Sequence, residues 1–170
     1  MGALFPQCRL LTLCLLLLPA LGPAQRPLTP LPPEAPAPTD NPTTTVHVNL
    51  GERLFFDPRL SGDNSMSCAS CHAPDKGFAD GLPTGIGVGG GKLTRNTPTV
   101  LNVGFLSTFL WDGRASSVEE QALGPITSPD EMAQDLDELV EELARDPSYA
   151  KEFDVGFLST FLWDGRASSV

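Results

Sequence analysis

Two cysteines and a histidine, Cys68, Cys71 and His72, occur within five positions of this chain. A Cys-x-x-Cys-His pattern is compatible with a redox dithiol, part of a zinc site, or covalent attachment of haem c. The flanking runs SGDNSMS and APDKG are typical of loops, whereas a redox dithiol favours a strand-to-helix turn. A closed zinc site needs four ligands, and after the first 25 residues the chain has only His47 as a further histidine and no further cysteine. Haem c needs only these three residues, so we predict thioether bonds at both cysteines and iron ligation by His72.

The first 24 residues are typical of an export signal. Arg9 precedes the apolar run LLTLCLLLL at residues 10–18, and small residues follow it up to a predicted cleavage site near Ala24. A retained membrane anchor is the alternative, but the run is shorter than the roughly 20 residues that a span requires. We therefore expect export to the periplasm and no stable membrane insertion.

Residues 25–45 are predicted to form a linker. Seven prolines lie between residues 26 and 45, and almost nothing there is apolar enough to bury. This composition predicts an extended, disordered tether with no fold of its own. The folded domain is assigned to residues 46–154. Its first element is predicted to be a short helix, because Leu50, Leu54 and Phe55 recur at helical spacing before Asp57 and Pro58.

A second helix is predicted from Pro129 to about Ala144. Its apolar stripe consists of Met132, Leu136, Leu139, Val140 and Leu143. The run SPDE has the form of a capping box, with Ser128 at the N-cap and Glu131 at the third helical position. A further short helix, SYAKEF, is predicted to start at Ser148.

Charge is concentrated in one part of the chain. Residues 119–154 hold twelve acidic side chains against two basic ones, and the rest of the chain is neutral overall. A solvated helix surface and a face that attracts a basic partner both explain this pattern. Nucleic-acid binding is disfavoured, because neutralising phosphates needs a basic patch and the sequence shows none.

Three longer runs resemble a known family. These are LFFDPRLSGDNSMSCASCHAPDKGFADG, then GIGVGGGKLTRNTPTVLN, then FLWDGRASSVEEQALGPITSPDEM. In this order they resemble the N-terminal haem domain of bacterial di-haem cytochrome c peroxidases and their MauG-type relatives, over about residues 46–153. The resemblance implies an all-α, cytochrome c-like domain around one covalent haem. It also implies reduction of hydrogen peroxide to water, with electrons from a small cytochrome or cupredoxin.

The resemblance assigns roles to four further residues. Trp111 matches the tryptophan that lies between the two haems of the family, a path for electrons. Gln121 and Glu131 match the glutamine and the acid on the peroxide side, and Asn96 matches a residue of a calcium site. An acid suits that place, because splitting the O–O bond requires a proton to move from one oxygen to the other.

The residues alone leave simpler interpretations open. Trp111 is equally compatible with a core aromatic, and Gln121 with a solvated helix face. Glu131 is accounted for by the capping box, and Asn96 by a turn.

Few side chains in the sequence could ligate the iron on the side opposite His72. Several family members carry a histidine in the glycine-rich loop, but here that loop, residues 85–91, reads GIGVGGG, and no histidine follows His72. This departure suggests an iron that is open without prior activation, as in the MauG-type branch. His47 is an alternative ligand from the other direction. Met132 is the only methionine after the haem motif, and with it as sixth ligand the chain would be a mono-haem electron-transfer cytochrome.

Residues 155–170 repeat residues 103–118 without a single change. We interpret the copy as a recent duplication or a sequence error, unstructured or artefactual, rather than a functional repeat. No second Cys-x-x-Cys-His is present. The expectation is a peroxidase that lacks the second haem domain, with an inert truncation as a further alternative.

Overall fold

The computed structural model describes residues 29–39 and 41–149. The described residues from Pro32 onward belong to one compact unit, and every helix among the described residues lies in it. The predicted signal at residues 1–24 and the copy at residues 155–170 lie outside the described residues.

The first helix, α1, spans Thr45–Phe55. Thr44 begins it, because its side-chain oxygen accepts the His47 backbone N–H at 3.2 Å. Leu50, Leu54 and Phe55 are buried, which confirms the predicted short helix and its apolar face. Asp57 then caps a 3₁₀ turn at Pro58–Leu60.

Three more α-helices follow. They are α2 at Cys68–Cys71, α3 at Val118–Thr127 and α4 at Leu136–Ala144. Short 3₁₀ turns lie at Pro74–Lys76, Val88–Gly90 and Val103–Phe105. Within the described residues the only β-structure consists of three isolated antiparallel bridges, at Ala73 and Ala79, Ile86 and Lys92, and Phe109 and Ala115. The all-α prediction is thus confirmed for this part of the chain.

The helix predicted to start at Pro129 begins later, at Leu136, although it ends at Ala144 as predicted. Ser128 is the C-cap of α3 and not an N-cap, so the capping-box interpretation was wrong. Ala133 has a φ of +51°, which a helix does not allow. The true N-cap is Asp135, whose carboxylate accepts the Asp137 and Glu138 backbone N–H groups at 2.9 and 3.1 Å.

The hydrophobic core combines side chains from near the start and near the end of the domain. Its buried members are Leu50, Leu54, Leu60, Ile126, Met132, Leu139, Leu143 and Tyr149. Cys68 and Leu136 pack against this cluster while being only partly buried themselves. The core therefore reaches the Cys-x-x-Cys-His motif directly.

An ionic cluster links α1 to the end of the described chain. Asp57 accepts hydrogen bonds from Arg59 Nε at 2.9 Å and from the Tyr149 hydroxyl at 2.8 Å. Arg59 also pairs with Asp146 at 3.2 Å. The Arg53 guanidinium lies 4.0 Å from the centre of the Tyr149 ring. These contacts fix the helical turn at residues 147–149, where the further helix predicted from Ser148 begins; its continuation lies outside the described residues.

The proline-rich segment has no regular secondary structure in its described part, residues 29–39 and 41–44. It nevertheless contacts the domain. Ala35 is 8% exposed, and Asn41 Nδ2 donates to Glu119 Oε1 on α3 at 3.1 Å. The Pro42 carbonyl accepts from His47 Nδ1 at 2.9 Å. No helix among the described residues combines the length and hydrophobicity needed to span a bilayer.

Candidate haem-binding site

The helical turn α2 presents both cysteines. The Ser67 backbone N–H donates to Ser70 Oγ at 2.9 Å, which closes the start of the turn. The His72 N–H donates to the Cys68 carbonyl at 2.8 Å, and His72 then leaves the helix with φ −110° and ψ 65°. The side chain of His72 is thereby separated from the helix that carries the two thiols.

His72 is oriented by the segment that follows it. Its Nδ1 donates to the Phe78 carbonyl at 3.2 Å, since a carbonyl can only accept. A pair of backbone bonds between Ala73 and residues 78–79 closes this turn. The ring of Phe55, on α1, lies 6.5 Å from the His72 ring. The remaining ring nitrogen, Nε2, is the one available to a metal, as expected of an axial haem ligand.

The protonation of the two thiols disfavours dithiol redox chemistry, and that of His72 is compatible with metal ligation. Burial raises the pKa of the Cys68 thiol to about 12. Burial, and then the negative charges of Asp80 and Glu131, raise the pKa of Cys71. A redox-active cysteine has the opposite shift, because the thiolate is the reactive form. Burial lowers the pKa of His72, which keeps its imidazole neutral and able to ligate.

A structural zinc site is not supported in the part of the chain that the structure describes. No group of three or more histidine, cysteine, aspartate or glutamate side chains there could hold a metal ion. His47 lies on α1 and is bonded to Pro42. The donor set is therefore two thiols and one imidazole, which fits haem c. The Thr84 hydroxyl is buried without a hydrogen-bond partner among the described residues and offers a donor to a bound group.

The glycine-rich loop, residues 85–91, is a small ordered hairpin. Gly85 exchanges backbone hydrogen bonds with Arg95 and Leu93 at 2.9 and 2.8 Å. The Ile86 carbonyl lies 3.6 Å from Cys71 Sγ. The Val88 N–H donates to the Glu131 carbonyl at 2.7 Å. The loop thus connects the haem-attachment turn to the segment that carries Glu131.

Glu131 and Gln121 are both half-buried. Glu131 lies on the turn between α3 and α4, and its charge acts on Cys71 and His72. Gln121 lies on α3. Neither side chain makes a hydrogen bond or ion pair with any described residue, so both are available to a small polar ligand.

Asp80 is a buried carboxylate that the sequence analysis did not single out. Its side chain accepts the Thr97 hydroxyl at 2.8 Å and the Leu82 N–H at 2.9 Å. The bond from the Leu82 N–H, and then the bond from the Thr97 hydroxyl, lower the pKa of Asp80 and keep it ionised. The only sequence signal for Asp80 was its position in GFADG, residues 77–81, shortly after the Cys-x-x-Cys-His motif.

Among the described residues, neither Trp111 nor Asn96 makes a hydrogen bond or ring contact with Cys68, Cys71 or His72. Trp111 is 85% exposed, so the described protein residues do not bury it. The Arg95 guanidinium lies 5.8 Å from its ring centre. Asn96 Nδ2 donates to the Leu82 carbonyl at 2.7 Å, a bond between residues 14 positions apart rather than one within a local turn.

Met132 is 5% exposed and belongs to the core cluster. Packing among leucines gives this side chain a complete structural role. That placement disfavours the electron-transfer alternative, which needs its sulfur on the iron.

Comparison with known proteins identifies the family. A family model described as di-haem cytochrome c peroxidase matches residues 45–169. The chain belongs to this family. Membership implies haem c as the cofactor, in agreement with the donor set of the site.

Three relatives in the same family are 41 to 51% identical to this chain over the aligned residues. It is 51% identical over 122 residues to the methylamine utilization protein MauG of Methylorubrum extorquens, covering 72% of this chain and 35% of that protein. It is 45% identical to the cytochrome c peroxidase Ccp of Escherichia coli, covering 71% and 26%. It is 41% identical to the cytochrome c551 peroxidase of Pseudomonas aeruginosa, covering 75% and 37%. The chain therefore spans about a third of the length of these relatives.

Solved structures agree with this assignment. A MauG-like protein associated with microbial copper homeostasis superimposes with a TM-score of 0.71 at 31% identity, over 81% of this chain and 45% of that one. The diheme peroxidase BthA of Burkholderia thailandensis gives a TM-score of 0.59 at 32% identity, over 65% and 32%. The observed fold is thus the one found in part of these larger haem proteins.

Proposed function

We propose that this chain forms a periplasmic haem c domain at which hydrogen peroxide is reduced to water by electrons from a small cytochrome or cupredoxin. Cys68 and Cys71 hold the one haem that we assign to this chain, and His72 ligates its iron. The observation that carries the proposal is the half-buried Glu131 side chain, which has no partner among the described residues and is tied through the glycine-rich loop to Cys71.

The reaction is H₂O₂ + 2 H⁺ + 2 e⁻ → 2 H₂O. When bound, haem c supplies the redox-active iron. The Glu131 carboxylate accepts the proton of one peroxide oxygen and delivers it to the other, so that the departing oxygen leaves as water. The Gln121 amide has both a donor and an acceptor with which to orient the peroxide. Because residues 85–91 contain no histidine, we propose that no loop side chain blocks access to the iron.

Electron entry is assigned to Trp111. Its ring is 85% exposed, so a partner redox centre can approach it directly. Asn96 is retained as a proposed calcium ligand. Since its amide nitrogen is already bonded to Leu82, its amide oxygen is the atom that would ligate.

The decisive experiment is Glu131→Gln, measured by stopped-flow mixing of the haem-loaded chain with peroxide. Loss of the proton-transfer group is expected to slow the reaction by roughly 10² to 10⁴. Glu138→Gln, an exposed acid in the first turn of α4, is the matched control and should react at the parental rate. A Glu131→Gln chain that keeps full haem content and the parental rate would overturn the role given to Glu131.

A further inference from the structure

Gly87 lies against the backbone of the acid-bearing segment. A Cβ at this position would lie 1.8 Å from the Asp130 carbonyl oxygen and 3.2 Å from Glu131 Cα. The φ of Gly87 is −93°, which any residue adopts, so space rather than conformation requires glycine here. The loop and the segment therefore touch backbone to backbone.

A hydrogen bond fixes this contact. The Val88 N–H donates to the Glu131 carbonyl at 2.7 Å, and the Gly87 N–H donates to the Gly91 carbonyl at 2.8 Å. On the opposite side, the Gly62 N–H donates to the Met132 carbonyl at 2.8 Å, and a Cβ on Gly62 would lie 2.3 Å from the Ala133 carbonyl oxygen. Residues 130–133 are thus held between two glycine backbones.

Nothing else described holds the Glu131 side chain in place. Its carboxylate contacts no described hydrogen-bond partner, and its own N–H makes only the local bond to the Ser128 carbonyl at 3.1 Å. The described residues therefore restrain the carboxylate only through the backbone that carries it. That backbone is also held by Gly62 and by the end of α3, and the glycine-rich loop is the segment that bonds the Glu131 carbonyl itself.

We infer that Gly87 and the Val88 amide are the positioning elements for Glu131, and that they set where its carboxylate meets peroxide. This inference rests on the proposed function. A methyl group at residue 87 must separate loop and segment by more than 1 Å, because ordinary contacts to a Cβ begin near 3.4 Å. A displacement of about 1 Å in a catalytic group can slow a reaction by about 10²-fold.

The test compares Gly87→Ala with Gly91→Ala in the haem-loaded chain. Gly91 belongs to the same loop and has a φ of −63°, and the nearest atom to a Cβ there is 3.8 Å away. We expect Gly87→Ala to slow the reaction with peroxide by about 10²-fold and Gly91→Ala to leave it unchanged. Equal rates for the two variants would overturn the inference.

A double variant separates positioning from general damage. If Gly87 acts through Glu131, Gly87→Ala combined with Glu131→Gln should react no more slowly than Glu131→Gln alone. Rate losses that multiply would show that Gly87 acts elsewhere and would overturn the inference. If Glu131→Gln alone has no effect, the proposed function fails, whereas a slow Glu131→Gln with an unaffected Gly87→Ala refutes only the positioning role.

A second measurement, hydrogen exchange, does not depend on activity, and its first part needs only the parent chain. In the parent chain, the Val88 amide should exchange its hydrogen much more slowly than in an unstructured peptide of the same sequence, because it is bonded to Glu131. Exchange at the unstructured rate would refute the contact itself. In Gly87→Ala this amide should exchange faster, and in Gly91→Ala it should not.

Discussion

A hydrogen bond to the backbone orients the His72 ring. The Phe78 carbonyl accepts the Nδ1 proton, which leaves Nε2 for the iron ligation that we propose. Buried Asp80 follows Phe78 by two residues, so the same short segment carries both the orienting carbonyl and a fixed negative charge. The environment of His72, the iron ligand that we propose, is therefore built from the residues directly after the Cys-x-x-Cys-His motif.

Replacing Cys68 and Cys71 together by serine is expected to abolish covalent haem attachment, because the hydroxyls cannot form the thioether bonds. Denaturing gel electrophoresis followed by haem staining measures this directly. Ser70→Ala, between the two cysteines, should keep the stain. A stained double-serine chain, or an unstained parent made in a host competent for cytochrome c maturation, would contradict covalent attachment.

At the scale of single residues, the sequence predicted the chemistry of side chains that are neighbours in the chain. Cys68, Cys71 and His72 are neighbours in the chain, so their spacing alone predicted haem c, and the family match agrees. The exposure of Trp111 and the burial of Asp80 depend on distant packing, and no local pattern reports them. The roles proposed for Gln121 and Glu131 rest on their match to the family.

The turn between α3 and α4 is the element that the sequence analysis assigned incorrectly. Residues 129–135 resemble a helix start, yet their hydrogen bonds go elsewhere. The Met132 and Gln134 N–H groups donate to the Pro125 and Ile126 carbonyls, and the Met132 carbonyl accepts from Gly62. The bond to Gly62 joins residues 70 positions apart, which a pattern of neighbouring residues cannot indicate.

Asp135→Ala is expected to lower the free energy of unfolding by about 1 kcal/mol, since it removes the side-chain acceptor that caps α4. For a domain of this size that corresponds to a fall of about 5 °C in melting temperature. Ser128→Ala should change the stability little. Thermal unfolding followed by circular dichroism compares the two. A larger effect for Ser128→Ala would restore the helix start that the sequence first indicated.

Across the whole molecule, the ionic cluster joins residues 53–59 to residues 146–149. Burial on its own would raise the pKa of Asp57, but hydrogen bonds from Arg59 and Tyr149 outweigh it and lower that pKa below 3.8. Burial, together with Asp57, raises the pKa of Tyr149 to about 12. At neutral pH the pair is therefore an ionised carboxylate and a neutral phenol, and the phenol donates.

Asp57→Asn should lower the free energy of unfolding at pH 7 by about 3 kcal/mol, because it leaves Arg59 without its buried partner. The folded pKa of Asp57 is depressed, so its contribution is present above the unfolded value of 3.8 and is lost as the pH falls through the folded value. Urea unfolding between pH 7 and pH 2.5 should therefore show a smaller loss on acidification in the variant. Parallel pH profiles for the two chains would contradict this account.

The composition of the core has a consequence for biosynthesis. Its buried side chains come from residues 50–60 and also from residues 139–149, so it cannot close until the latter have been synthesised. Cys68 packs against that core, and it emerges about 80 residues before Tyr149. Before the core closes, the Cys-x-x-Cys-His motif therefore lies in an open chain. For the haem attachment that we propose, this order allows the thioether bonds to form before final folding, so that the domain closes around a haem that is already attached.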